Sequence, residues 1–103
     1  MKVKTNKLTG AALDWAVAQC EVGAEFIGEI DDPHFYSTDW AKAGPIIEEE
    51  KMHIAYNFDE HVWEAGWDCH VSGWGDTPLV AAMRCYVASK LGDEVEVPEE
   101  VQS

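Results

Sequence analysis

The sequence predicts an α+β fold: two main helices packed on a small, mostly antiparallel sheet, with a long ordered loop at about 31–45. Three observations carry this. The C-terminal run from Gly75 to Pro98, GDTPLVAAMRCYVASKLGDEVEVP, reads as one punctuated apolar helix followed by acidic residues. Residues 10–22 read as a second capped helix. Lys51–Asp59 alternates apolar and polar side chains with the two-residue period of a half-buried strand.

Along the chain, Val3 between Lys2 and Lys4 allows a short strand. A helix follows from Gly10 to Val22, with Thr9 as N-cap and Gly23 as the terminating residue. Leu8 and Leu13 stand at the two positions of a hydrophobic staple. Leu13, Ala16, Val17 and Cys20 form one stripe, and Trp15 points nearly the opposite way. Ala24–Ile30 reads as a strand, broken by Asp31-Asp32-Pro33. Ser37 can cap a one- or two-turn helix through Ala43, stopped by Gly44-Pro45, before an acidic turn at Glu48–Glu50. In the next strand Met52, Ile54, Tyr56 and Phe58 face one way. His61–Glu64 either extends that strand or starts another, Ala65-Gly66 reads as a turn, Trp67–Val71 as a further strand, and Ser72–Gly75 as a loop. The last helix has Thr77 at the N-cap, Pro78 at its first position and Gly92 beyond its end. Its apolar face is broad, and the small residues Ala81, Cys85 and Ala88 on the reverse let another backbone approach closely. Val95 and Val97 alternate with acids as a short edge strand would. Residues 1–98 are expected to form a single domain, with 99–103 a disordered acidic tail.

Twenty acids against seven bases give a net charge of −13. Such a surface repels phosphates and anionic bilayers, so neither direct nucleic-acid binding nor membrane binding is expected. Basic protein partners remain open, as does the plainer role of keeping the chain soluble. Nothing in the sequence is apolar enough to span a bilayer, and Asp14 interrupts any signal-like run. A cytoplasmic location follows, with Cys20, Cys69 and Cys85 as free thiols.

Three segments carry a resemblance: Leu8–Glu21 (LTGAALDWAVAQCE), Ser37–Glu48 (STDWAKAGPIIE) and Gly75–Pro98. Together they cover about half of the chain, and in order and spacing they resemble the NinX-like family of small phage and prophage proteins. The resemblance implies a phage or prophage source and a bacterial host cytoplasm. It implies no reaction, since the family brings no molecular activity with it. One departure is Ala43, where members commonly carry a second glycine.

Two readings of Ser37–Glu48 stay open. Trp40 is either an apolar anchor for a partner, oriented by Asp39 with Tyr36 nearby, or a plug in the core. Trp15 and Trp74 are further interface candidates among five tryptophans. Arg84, the only arginine, is expected to pin its helix through an ion pair, or else to hold an anion. His61, Cys69 and His70, with Asp68 and His53, have the ligand types of a zinc site. Adjacent strand residues such as Cys69 and His70 point to opposite faces, however, so no metal or other cofactor is expected. Neither Cys20 nor Cys85 looks activated, and His34, Ser37 and Asp39 lack the spacing of a triad. No catalytic residue is assigned. The leading expectation is a non-catalytic protein-binding accessory protein, with DNA mimicry as a sharper form. A domain about 34 Å across matches a duplex length bearing about 20 charges. The alternative is an enzyme or small-molecule binder with its site between the 31–45 loop and the sheet.

Overall fold

Helix α3 (Pro78–Leu91) is the axis on which the other elements pack. The computed structural model describes residues 2–22, 36–67 and 70–98. Before α3 in the chain come β1 (Lys2–Lys4), a 3-10 turn, α1 (Gly10–Val22), α2 (Trp40–Glu50), β2 (His53–Asn57), β3 (Val62–Trp67) and β4 (His70–Gly75). After it comes β5 (Glu94–Glu96). The three helices and two antiparallel sheets make an α+β fold, as the sequence predicts. One sheet has the order β2-β3-β4, and the other pairs β1 with β5.

The termini of α3 follow its sequence signals. Thr77 Oγ1 accepts from the Val80 N–H at 3.1 Å, and Pro78 needs no N–H in that first turn. At the far end the Gly92 N–H donates to the Ala88 carbonyl at 3.0 Å, with φ at 91°. Between these caps Leu79, Ala81, Ala82, Met83, Cys85, Tyr86 and Val87 are buried. A helix covered so nearly all round has little amphipathic asymmetry to display. Strand β4 lies along the small-residue face. A Cβ on Gly73 would collide with the Ala81 carbonyl oxygen and stand 2.5 Å from the Cys85 nitrogen. One on Gly75 would meet Val80 Cγ1 at 2.7 Å. The glycines that look like a loop therefore belong to a strand. They are glycines because the helix backbone occupies the space a side chain would fill.

Helix α1 packs on α3 with Leu13, Ala16 and Val17 fully buried, and Leu8 closes the staple from outside the helix. Thr9 takes the cap position, its carbonyl accepting from the Leu13 N–H at 3.3 Å.

Helix α2 is where the sequence reading needs correction. The helix starts at Trp40 and ends at Glu50, so the second half of the expected loop is helical and Gly44-Pro45 does not stop it. Asp39, not Ser37, is the cap, its Oδ1 accepting from the Ala41 N–H at 2.9 Å. Ser37 is buried, and its N–H donates to Asp14 Oδ1 at 2.8 Å, fastening this turn to α1. Pro45 removes one intrahelical hydrogen bond, a cost of about 3 kcal/mol. Burial of Ala43 and Ile46 offsets that cost, being set by tertiary contacts that a reading of local propensity cannot see. Glu48–Glu50, expected as an acidic turn, are the last residues of α2, and the chain turns after them at Lys51, left-handed at φ 55°.

The β2–β3 hairpin also shifts. Its turn is Phe58–His61, so Val62–Glu64 start a new strand and do not extend β2, and Ala65-Gly66 lie within β3 and not in a turn. The Asn57 side chain accepts from both the Asp59 and Glu60 N–H groups at 2.9 Å. Phe58 leaves the strand pattern and is 80% exposed. The strand expected at 24–30 and the tail 99–103 lie outside the described residues.

Candidate functional site

The three-stranded sheet has two different faces, and its pairing register identifies them, because residues directly opposite one another share a face. Ile54, Ala65 and Gly73 form one inward row, with Tyr56, Trp63 and Gly75 beside it. The Tyr56 and Trp63 rings meet edge to face with centroids 5.2 Å apart. The outward rows are His53, Gly66 and Val71, then Ala55, Glu64 and Trp74, then Asn57 and Val62. Among the described residues of this outer face, His53, Ala55, Val71 and Trp74 are exposed. Val71 is 38% and Trp74 39% exposed.

A register shift between Ala65 and Gly66 leaves Ser72 as an extra residue in β4. Gly66 is obligatory at this bulge, since a Cβ would collide with the His70 carbonyl and lie 2.9 Å from Val71 Cα. With no side chain at Gly66 and only a methyl at Ala55, the outer face is notched. The notch is a small, half-open hollow of about 70 Å³, and His53, Glu64, His70 and Val71 stand around it. Glu64 is half-buried, and its Oε2 accepts from Asn57 Nδ2 at 2.8 Å, which fixes the carboxylate on this face.

Arg84 holds the neighbouring strand. Its Nε donates to the Leu8 carbonyl at 2.8 Å and an Nη to the Trp74 carbonyl at 2.7 Å. Its hydrogen-bond partners are thus two backbone oxygens, and it ties the approach to α1 and strand β4 to α3. Partial burial lowers its pKa and the charge of Asp76 works against that, but guanidinium stays protonated throughout the usable range. The Trp74 N–H donates to Asn6 Oδ1 at 3.2 Å. Both main-chain groups of Trp74 therefore point away from β3, so Trp74 and Glu64 form a non-hydrogen-bonded pair, the closer kind, with neighbouring side chains.

The other sequence candidates are spread out. Trp40, at the first position of α2, is 55% exposed, so it is an exposed side chain and not a core plug. Asp39 beside it is half-buried and caps the helix. Tyr36 and Trp15 are half-buried and pack against the core. Trp74 and Arg84 are joined, through the carbonyl contact. Of the metal-type residues, Asp68 and Cys69 lie outside the described residues. His61 sits in the hairpin turn, and His53 and His70 flank the notch. Among the described residues no three His, Cys, Asp or Glu side chains group as metal ligands. Glu64, Val62 and Val71 escaped the sequence reading. For Val62 and Glu64 the signal was the strand Val62–Trp67, masked by the turn-like Ala65-Gly66.

Cys85 is fully buried where α3 meets β4, and burial with the charge of Glu50 pushes its thiol up to about 11. No helix among the described residues is long and apolar enough to cross a membrane.

No curated protein matches the chain. The family described as Bacteriophage P22, NinX matches residues 4–90, from the end of β1 almost to the end of α3. That stretch holds α1, α2, all but the last residue of α3, the three-stranded sheet with its notched outer face, and the Arg84 tie. The chain belongs to the bacteriophage P22 NinX family.

Proposed function

We propose that this phage accessory protein is a non-catalytic module that binds a basic protein in the bacterial cytoplasm. The observation that carries the reading is the coexistence of a net charge of −13 with large apolar side chains held in the open, Trp40, Phe58 and Trp74. Charge of one sign speeds encounter with an opposite surface, and exposed aromatic side chains supply the affinity that screened charge lacks. The sharper form is mimicry of DNA. The longest dimension is 38 Å, and a duplex of that length carries about 22 phosphate charges. A net −13 is of the same order.

The competing reading, an enzyme or small-molecule binder, needs Arg84 and the histidines gathered around one pocket. Arg84 instead donates to two carbonyls inside the fold. Pull-down of the tagged protein from host lysate, with and without infection and at low and moderate salt, tests the proposal. A partner held at moderate salt is the expected result, and one lost with modest salt is the mark of a charge-driven mimic. Absence of any partner under all conditions refutes binding as the function.

A further inference from the structure

The outer face of the three-stranded sheet has a chemistry more specific than general acidity. Glu64 and Trp74 are close cross-strand partners on it, so their Cβ atoms are separated by about 4.5–5.5 Å. The Glu64 carboxylate is oriented by Asn57, has no cation within ion-pair distance among the described residues, and borders the notch left by Gly66 and Ala55. Trp74 presents an exposed indole beside it, with its backbone immobilised on both sides by Asn6 and Arg84. A fixed anion next to an indole face, opening on a small cavity with an apolar wall at Val71, is complementary to a flat cation on an aliphatic stem.

We infer that this face is a docking site for an arginine side chain in a basic segment of a partner protein. The guanidinium pairs with Glu64 and stacks on Trp74, and the neighbouring residue of the segment lies over Val71 and the notch. The inference rests on the protein-binding reading above and gives that reading a place and a chemistry. Charge complementarity selects the occupant, since at −13 the molecule repels acidic segments and attracts basic ones. Arginine is favoured over lysine because a planar guanidinium can meet a carboxylate along its edge while offering its face to an indole. An anionic ligand is disfavoured by Glu64 itself.

The test is an NMR titration of the full chain with an acetylated, amidated pentapeptide, Gly-Gly-Arg-Gly-Gly, and with its citrulline counterpart, which keeps the shape and loses the charge. Saturable shifts are expected at the Glu64, Gly66 and Val71 amides and the Trp74 indole with the arginine peptide alone. Glu64→Gln should weaken binding by about two- to fivefold and Trp74→Ala by about two- to fivefold. The variants' spectra must otherwise match the parent, which separates a lost site from a lost fold. Lys90, Glu50 and the β5 acids should not respond. Shifts that scatter over the acids at 48–50 and 93–96 and survive Glu64→Gln overturn the inference, as does equal binding of the citrulline peptide.

The same variants in the pull-down separate this inference from the broader one. A partner retained equally by the parent, Glu64→Gln and Trp74→Ala overturns the docking site and leaves the binding function standing. A localised arginine response with no protein captured does the reverse.

Discussion

Gly73→Ala tests the central packing of the fold. The added methyl would stand 2.5 Å from the Cys85 nitrogen and 2.8 Å from its Cβ, and would collide with the Ala81 carbonyl. Carbon contacts are at their best near 3.5–4.0 Å, so β4 and α3 would have to part by roughly 1 Å. Two of the three obstacles are helix backbone, which cannot turn aside as a side chain can. The helix cannot simply retreat either, because α1 and α2 pack against it. Overpacking of this kind costs about 1–3 kcal/mol, and the rigid surroundings put Gly73→Ala near the upper end, about 3 kcal/mol. For a domain of this size that lowers the melting temperature by about 12–24 °C. Urea unfolding of parent and variant, followed by tryptophan fluorescence, gives the difference directly. Gly44→Ala is the internal control. That glycine is helical, its φ is not in the left-handed region, and nothing lies within 4 Å of the added atom. It should gain about 0.5–1 kcal/mol. A loss below about 0.5 kcal/mol at Gly73 would fall within the range of an ordinary surface change and refute the seating of α3 on β4.

Further predictions follow from individual contacts. Arg84→Met should cost about 2 kcal/mol in the same urea experiment, because two carbonyls lose a charged donor at a half-buried site, and Arg84→Lys should not restore it. Asp14→Ala, which strips a buried acceptor from the Ser37 N–H, should destabilise more than Asp39→Ala, which loses a helix cap worth about 1 kcal/mol at a solvent-exposed hydrogen bond. Cys85 should resist thiol reagents in the native protein at pH 8, where a pKa of about 11 leaves roughly one thiolate in a thousand. Equal labelling of Cys85 in the native and urea-unfolded protein would contradict this. The unfolded thiol ionises near 9.0 and the folded one near 11, so the native state keeps its proton longer. Its stabilising contribution is complete below pH 9 and is lost as pH rises from 9 toward 11. Cys85→Ala should remove that part of the alkaline decline in melting temperature.

The helix ends were the most readable feature of the sequence. Thr77, Pro78 and Gly92 act through the backbone of their own turn, so their effect survives any tertiary setting. The small-residue face of α3 was readable too, as a place where backbone comes close, though not which backbone. What misled was glycine and proline chemistry whose meaning lies in contacts far along the chain. Gly73 and Gly75 make room for a helix that follows them, Gly66 serves a bulge, and Pro45 is tolerated because Ala43 and Ile46 have somewhere to go. Read locally, each of these signals a turn or a stop. The outer face of the sheet was illegible for the same reason. Glu64 and Trp74 are ten positions apart and become neighbours only through the β3–β4 register, which the bulge sets. Arg84 was rightly expected to pin its helix, but its partners are carbonyls, and a main-chain oxygen leaves no mark in a sequence.

The pairing of β1 with β5 has a consequence for how the molecule is made. Lys2, Val3 and Lys4 meet Glu96, Val95 and Glu94, and the Thr5 hydroxyl and N–H reach the Gly92 and Asp93 carbonyls. During synthesis the early strand has no partner until residues 92–96 have left the ribosome, so the fold cannot close in the order in which it is translated. Once closed, the contacts between these distant segments act as a clasp, and a chain cut short after α3 would leave Val3 and Thr5 uncovered at the other end.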